Sequence, residues 1–232
     1  MKISKLIGLG LIALMLGACG GKDDANVTDE AAEAAADDIS VSDAELEGNP
    51  FMQEWDTPYG VPPFAVIENG HYMPATKKGI LELRAEIDAI ANNPEAPTFE
   101  NTIVAMELTG PLLDKVTSTF GNITGTDTDD ELRALETEIY PMLTREYDAI
   151  RFNEALYARV KAIYEQKDSL GLDEQDARLL ELRNRYFVRA GAALSPEVKQ
   201  QIADINSEMS SLTTQFSQNL LLETKAFTLE LT

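Results

Sequence analysis

Apolar side chains recur every three or four positions over most of residues 71–222, and the breaks in that rhythm divide the chain into helices. The first is predicted over 71–91, where Ile80, Leu83, Ile87 and Ile90 share a face and Asn92-Asn93-Pro94 ends it. A second starts at Thr98, with Phe99, Ile103, Met106, Leu113 and Phe120 near one stripe. Gly110-Pro111 inside that stripe predicts a kink or a restart, because proline lacks an amide proton and clashes with the preceding turn. Thr128-Asp129-Asp130-Glu131 has the capping-box pattern, in which the Thr hydroxyl and the Glu carboxylate satisfy free amides. Leu132, Leu135, Ile139, Leu143 and Tyr147 follow, with a second kink expected at Pro141.

Asn153 opens the next helix through Leu156, Val160, Ile163 and Tyr164, which Gly171 is expected to close. Asp173 caps another, carrying Leu179, Leu182, Tyr186 and Ala190 as far as Gly191. Ser195-Pro196-Glu197 then combines an N-cap, proline at the first helical position and an acid that favours the helix dipole. Val198, Ile202, Ile205, Met209, Leu212, Phe216 and Asn219 hold a heptad spacing, for a helix of about 40 Å reaching Leu222. Beyond it the period changes to two: Phe227, Leu229 and Leu231 alternate with polar residues as a half-buried strand would. The pattern predicts an all-α fold of antiparallel, long, kinked helices with one C-terminal strand. No earlier segment offers that strand a confident partner, so the fold is expected to be incomplete.

Before residue 71 the rhythm is absent. Residues 49–75 interleave Pro50, Pro58, Pro62, Pro63 and Pro74 with Phe51, Trp55, Tyr59 and Phe64, which predicts an extended strap laid on the helices by its aromatic rings. Residues 20–48 carry ten acidic side chains against Lys22 alone, and their apolar residues are mostly alanine. Such a segment buries too little surface to offset its ordering entropy, so residues 19–48 are expected to form a disordered acidic tether, about 30 Å in r.m.s. span. Residues 1–18 have the form of a signal peptide, with Lys2 and Lys5 before an apolar run, Ile7 to Leu16, too short to span a bilayer. Leu16-Gly17-Ala18-Cys19 resembles a bacterial lipobox, which makes Cys19 the expected lipidation site and places the chain on the periplasmic face of a cell envelope. Gly20 after that cysteine favours the outer membrane.

The formal charge of −21 excludes nucleic acid as a partner on electrostatic grounds. Catalytic chemistry is hard to find. A zinc helix of the H-E-x-x-H type requires two imidazoles one turn apart, whereas His71 is the only histidine, and its place after Gly70 suggests a helix entrance. Phosphate-loop and dinucleotide fingerprints are missing. Glu82 with Glu86, and Asp173 with Asp176, are spaced as carboxylate pairs, but in so acidic a chain they read as solvated faces or caps. Tyr140, Tyr147, Tyr157, Tyr164 and Tyr186 are equally compatible with a groove and with core packing. No catalytic, cofactor-binding or metal-ligating residue stands out.

Four stretches carry a family resemblance. NPEAPTFENTIVAMELTG (93–110) is similar to a signature of the peptidyl-dipeptidase and oligopeptidase A branch of the thimet-oligopeptidase family, zinc peptidases that cleave short peptides. GVPPFAVIENGHYMPA (60–75), ARVKAIYEQKDSLGLDEQDARLLE (158–181) and LTTQFSQNLLLETKAF (212–227) agree with it in order. The resemblance covers 49–232 and implies the helical N-terminal region of a two-halved enzyme with a deep channel between the halves. It also implies a zinc ion and a catalytic Glu in a C-terminal half that this sequence does not contain. The chain alone is therefore expected to bind no zinc and to be inactive, contributing a channel wall to an enzyme that hydrolyses short peptides. A standalone, lipid-anchored binding or adaptor domain is the other expectation.

Overall fold

A computed structural model describes residues 39–228. Its body is six long helices: α1 (Tyr72–Ala91), α2 (Pro111–Thr126), α3 (Asp130–Phe152), α4 (Glu154–Glu165), α5 (Glu174–Ala190) and α6 (Pro196–Ala226). Among the described residues there is no strand, in keeping with the all-α expectation. The proposed strand lies largely outside them: only Phe227 and Thr228 are described, and Phe227 is exposed.

The dry core starts from α1. Ile80, Leu83, Ile87 and Ile90 are buried as their spacing predicts, against Leu113, Val116 and Phe120 of α2 and Leu156, Val160 and Ile163 of α4. Gly79 sets how closely α1 and α2 approach, because a Cβ there would sit 2.9 Å from the Leu113 Cα. The turn into α2 is the predicted restart: Gly110 is left-handed at φ 74°, and Pro111 begins the new helix. A run of rings crosses the same layers, with successive centroids from Trp55 through Phe51, Tyr72 and Phe120 to Tyr140 no more than 5.8 Å apart. The five tyrosines noted in the sequence prove to be partly buried and packed on the core.

The connection from α1 to α2 holds a π-helical turn, Phe99–Val104, continued by Ala105–Glu107. Thr98 caps it: its hydroxyl accepts from the Asn101 amide at 3.1 Å, and the Asn101 side chain accepts from the Thr98 amide at 2.8 Å. Arg159 of α4 is buried beneath this junction. Its guanidinium donates to the Asn93 and Glu95 carbonyls at 2.9 and 3.0 Å, to the Asn101 side chain at 2.9 Å and to the Thr102 hydroxyl at 3.2 Å. Each of these acceptors is neutral, so the cation is held by backbone and amide dipoles rather than by a carboxylate.

Several boundaries differ from the sequence reading. The cap of α3 is Asp129, whose carboxylate accepts from the Leu132 amide at 2.7 Å, while the Thr128 hydroxyl points to a carbonyl instead. A charged acceptor one residue later serves the positive helix end better than the hydroxyl. α3 runs through Pro141 as one element, and α4 ends at Glu165, well before Gly171, with a 3-10 turn at Lys167–Ser169 between them. On α5 the buried positions are Leu180 and Phe187, whereas Leu182 is exposed, so the predicted stripe was rotated by about one residue. Of the strap aromatics, Phe51 is buried and Trp55 partly so, but Tyr59 and Phe64 face solvent. Part of the expected tether is ordered: Asp43–Leu46 forms a helical turn capped by Ser42, and Ile39 packs on the core. Residues 20–38 lie outside the described residues.

Arg159→Met fills the same space and removes the donors to the Asn93 and Glu95 carbonyls, while Asn101 and Thr102 keep bonds of their own. Since an unsatisfied buried polar group costs ~1–3 kcal/mol, a loss of about 3 kcal/mol or more is expected, read as a lower urea midpoint at unchanged m-value.

Candidate docking face

Helix α6 is 31 residues long, about 46 Å, and lies along α3. The side it turns inward is polar. Lys199 is buried and donates to Glu154 at 2.8 Å. Asn206 donates to both oxygens of Asp148 at 3.1 and 2.9 Å, and Gln218 donates to the Arg133 carbonyl and to Glu136 at 2.9 and 3.0 Å. Near the end of the helix, Lys225 reaches the Thr128 carbonyl at 3.3 Å. Between these anchors Ala203, Ser207, Ser210 and Thr214 are partly or wholly buried, and their small size lets the helix lie close.

The opposite side is apolar and open. Ile205, Met209, Leu212, Phe216 and Leu220 are each more than half exposed, with Phe216 at 68%, and Val198 continues the row. A row of large apolar side chains this long on one exposed helix face marks an interaction surface. The heptad stripe predicted from sequence is real, but it faces away from the bundle. The inward polar row was not foreseen. Its signal was the seven-residue spacing of Lys199 to Asn206 and of Gln218 to Lys225, which is uninformative until their partners on and around α3 and α4 are known.

Asp148 and Glu146 of α3 are both buried, and each has a guanidinium: Arg151 lies 2.9 Å from Asp148, and Arg84 lies 2.7 Å from Glu146. Burial pushes the Glu146 carboxyl above its ordinary range, against the opposing hydrogen bond and charge of Arg84. Burial likewise raises the Tyr140 and Tyr147 phenols.

The other residues singled out in the sequence take structural places. His71 accepts at Nδ1 from the Glu68 amide at 2.9 Å, at the entrance to α1. Glu82 pairs with Lys78, Glu86 accepts from the Gly110 amide, and Asp173 accepts from the amides of Gln175 and Asp176. Cys19 lies outside the described residues. Among the described residues no group of three or more His, Cys, Asp or Glu side chains is placed to hold a metal, so they do not fit the zinc ion that the resemblance implies. Among them, too, no helix is long and apolar enough to cross a membrane.

No protein-family model matches the chain. Curated relatives do. Over 181 residues, 78% of the chain, it is 42% identical to a dipeptidyl carboxypeptidase of Salmonella typhimurium, of which it covers 27%. It is 43% identical over 178 residues to the dipeptidyl carboxypeptidase of Escherichia coli, covering 26% of that protein. An organellar oligopeptidase A of Arabidopsis thaliana is 29% identical over 190 residues, again with 23% of its length covered.

The docking face and the inward row predict opposite responses. Asn206→Ala leaves buried Asp148 with one partner fewer and is expected to cost ~1–3 kcal/mol. Met209→Lys on the open row is expected to change stability by less than ~0.5 kcal/mol, while lowering dye binding to exposed apolar surface; urea titration and ANS fluorescence check the pair. With most of its length matched, the chain is a homologue of proteins named dipeptidyl carboxypeptidase and oligopeptidase A, and it spans about a quarter of their length.

Proposed function

We propose that residues 49–232 form a channel-wall portion of a zinc-dependent peptidyl-dipeptidase or oligopeptidase that hydrolyses short peptides. The observation that carries this reading is the 42% identity over 181 residues to a protein that is itself nearly four times as long as the matched segment. The open apolar row of α6 supports it, because an enzyme of that size supplies further polypeptide to cover such a row. In this reading the zinc ligands and the Glu that activates water belong to that further polypeptide. Residues 49–232 restrict which peptides reach them, favouring short, unfolded chains over folded proteins.

The chain by itself is inactive. Purified protein supplied with zinc is expected to retain less than stoichiometric metal after gel filtration and to release no dipeptide from a short peptide. Zinc-dependent cleavage by the purified chain would overturn the assignment.

Cys19 carries the lipid that anchors the protein to the cell envelope, facing the periplasm, with Gly20 favouring the outer membrane. The supporting pattern is Leu16-Gly17-Ala18-Cys19 after a basic start and an apolar run. Expression with labelled palmitate in a Gram-negative host is expected to label the protein, and Cys19→Ser to abolish the label and release the protein from membranes. Label retained by Cys19→Ser would contradict the anchor.

A further inference from the structure

Where α3, α5 and α6 meet, the surface opens into a cavity of about 510 Å³. Three arginines line it, Arg151 of α3, which is paired with Asp148, and Arg185 and Arg189 of α5. This is unexpected in a chain with a formal charge of −21. Its apolar lining includes Leu182, on α5 with Arg185 and Arg189, and Ile202 of α6.

The acids nearby are already engaged. Asp148, the only carboxylate lining the cavity, is buried and takes a bond from Arg151 and two from Asn206. Glu181 sits 2.5 Å from Arg178 and only 3.7 Å from Arg185, so its charge is given mainly to the first. Arg189 is exposed and has no ion pair or hydrogen bond among the described residues. Arg185 and Arg189 stand one helical turn apart, where like charges repel unless an anion lies between them. Arg151 is fixed in place, since its Nε donates to the Tyr186 hydroxyl at 2.7 Å and its guanidinium lies over the Tyr186 ring.

We propose that this cavity binds the carboxylate end of a short peptide whose last side chain is apolar. The guanidiniums of Arg185 and Arg189 take the two carboxylate oxygens, and a planar fork suits that geometry. The terminal side chain lies on Leu182 and Ile202, and the volume is within the range that small ligands occupy, about 300–1,000 Å³. The choice of a peptide rests on the peptidase reading; the anion and the apolar side chain rest on the lining of the cavity alone.

Calorimetric titration of the purified chain with acetyl-Ala-Ala-Leu tests this without any catalysis. The free acid is expected to bind saturably, and its C-terminal amide at least about tenfold more weakly, because the amide presents no anionic oxygen. Acetyl-Ala-Ala-Gly is expected to bind several-fold more weakly than the leucine peptide, and inorganic phosphate more weakly still. Arg185→Gln with Arg189→Gln is expected to remove binding at an unchanged melting temperature. Equal binding of acid and amide, or no saturable binding of the acid, overturns the proposal on the unaltered protein. Phosphate binding as tightly as the peptide overturns the peptide as ligand. Failure of the peptidase reading would leave an acid-selective isotherm intact, so the two are separable.

Discussion

A single guanidinium holds the helical junction from which the rest of the bundle is laid out. Arg159 reaches from α4 into the turn between α1 and α2, satisfies the Asn93 and Glu95 carbonyls and adds bonds to the Asn101 amide oxygen and the Thr102 hydroxyl. The π-helical turn at Phe99–Val104 leaves part of its backbone outside the ordinary ladder, and such turns survive only where the surroundings hold them. Because the acceptors are neutral, the full charge of Arg159 is shared among dipoles, and the bond set is sensitive to geometry rather than to salt. Once that turn is placed, Gly110 and Pro111 direct α2 back along α1, and the Gly79 contact locks the two at close range.

Two interfaces of the bundle are built on different physics. Around α1 and α2 the interface is aliphatic and aromatic. Along the inner side of α6 it is a ladder of charged and amide side chains reaching α3 and the start of α4, in which Asp148, Glu136 and Lys199 are buried and each finds a partner. Apolar packing tolerates many registers, whereas a polar ladder tolerates few, because sliding α6 by one turn would strand several buried groups at once. The ladder thus fixes the position of α6 along α3 while leaving its apolar side available.

Much of the fold was legible because local rules agreed with one another. Ile80, Leu83, Ile87 and Ile90 share a face under any helical reading, Asn153 and Asp173 cap the helices they precede, and Gly110-Pro111 breaks the chain where expected. The errors came from choices between near equals: Thr128 or Asp129 as cap, Leu179 or Leu180 as the core position of α5. The orientation of α6 was a deeper difficulty. Periodicity shows which side of a helix is apolar, but the side that packs is decided by partners distant in sequence, here Asp148 and Glu136. The cavity was hidden for the same reason, since Arg185 and Arg189 look like ordinary members of a solvated face until the fold sets them beside Ile202 of α6.

The open row on α6 has a consequence for how the protein stays in solution. Glu197, Asp204 and Glu208 lie exposed along one border of the row, and Glu223 lies near its end. Two such surfaces approaching each other would bring these carboxylates together before the apolar side chains touched. The acidic excess of the chain then works as a colloidal guard: it raises the barrier to self-association on a face too apolar to be left bare, while leaving a differently charged surface free to close over it. High salt would lower that guard without altering the fold.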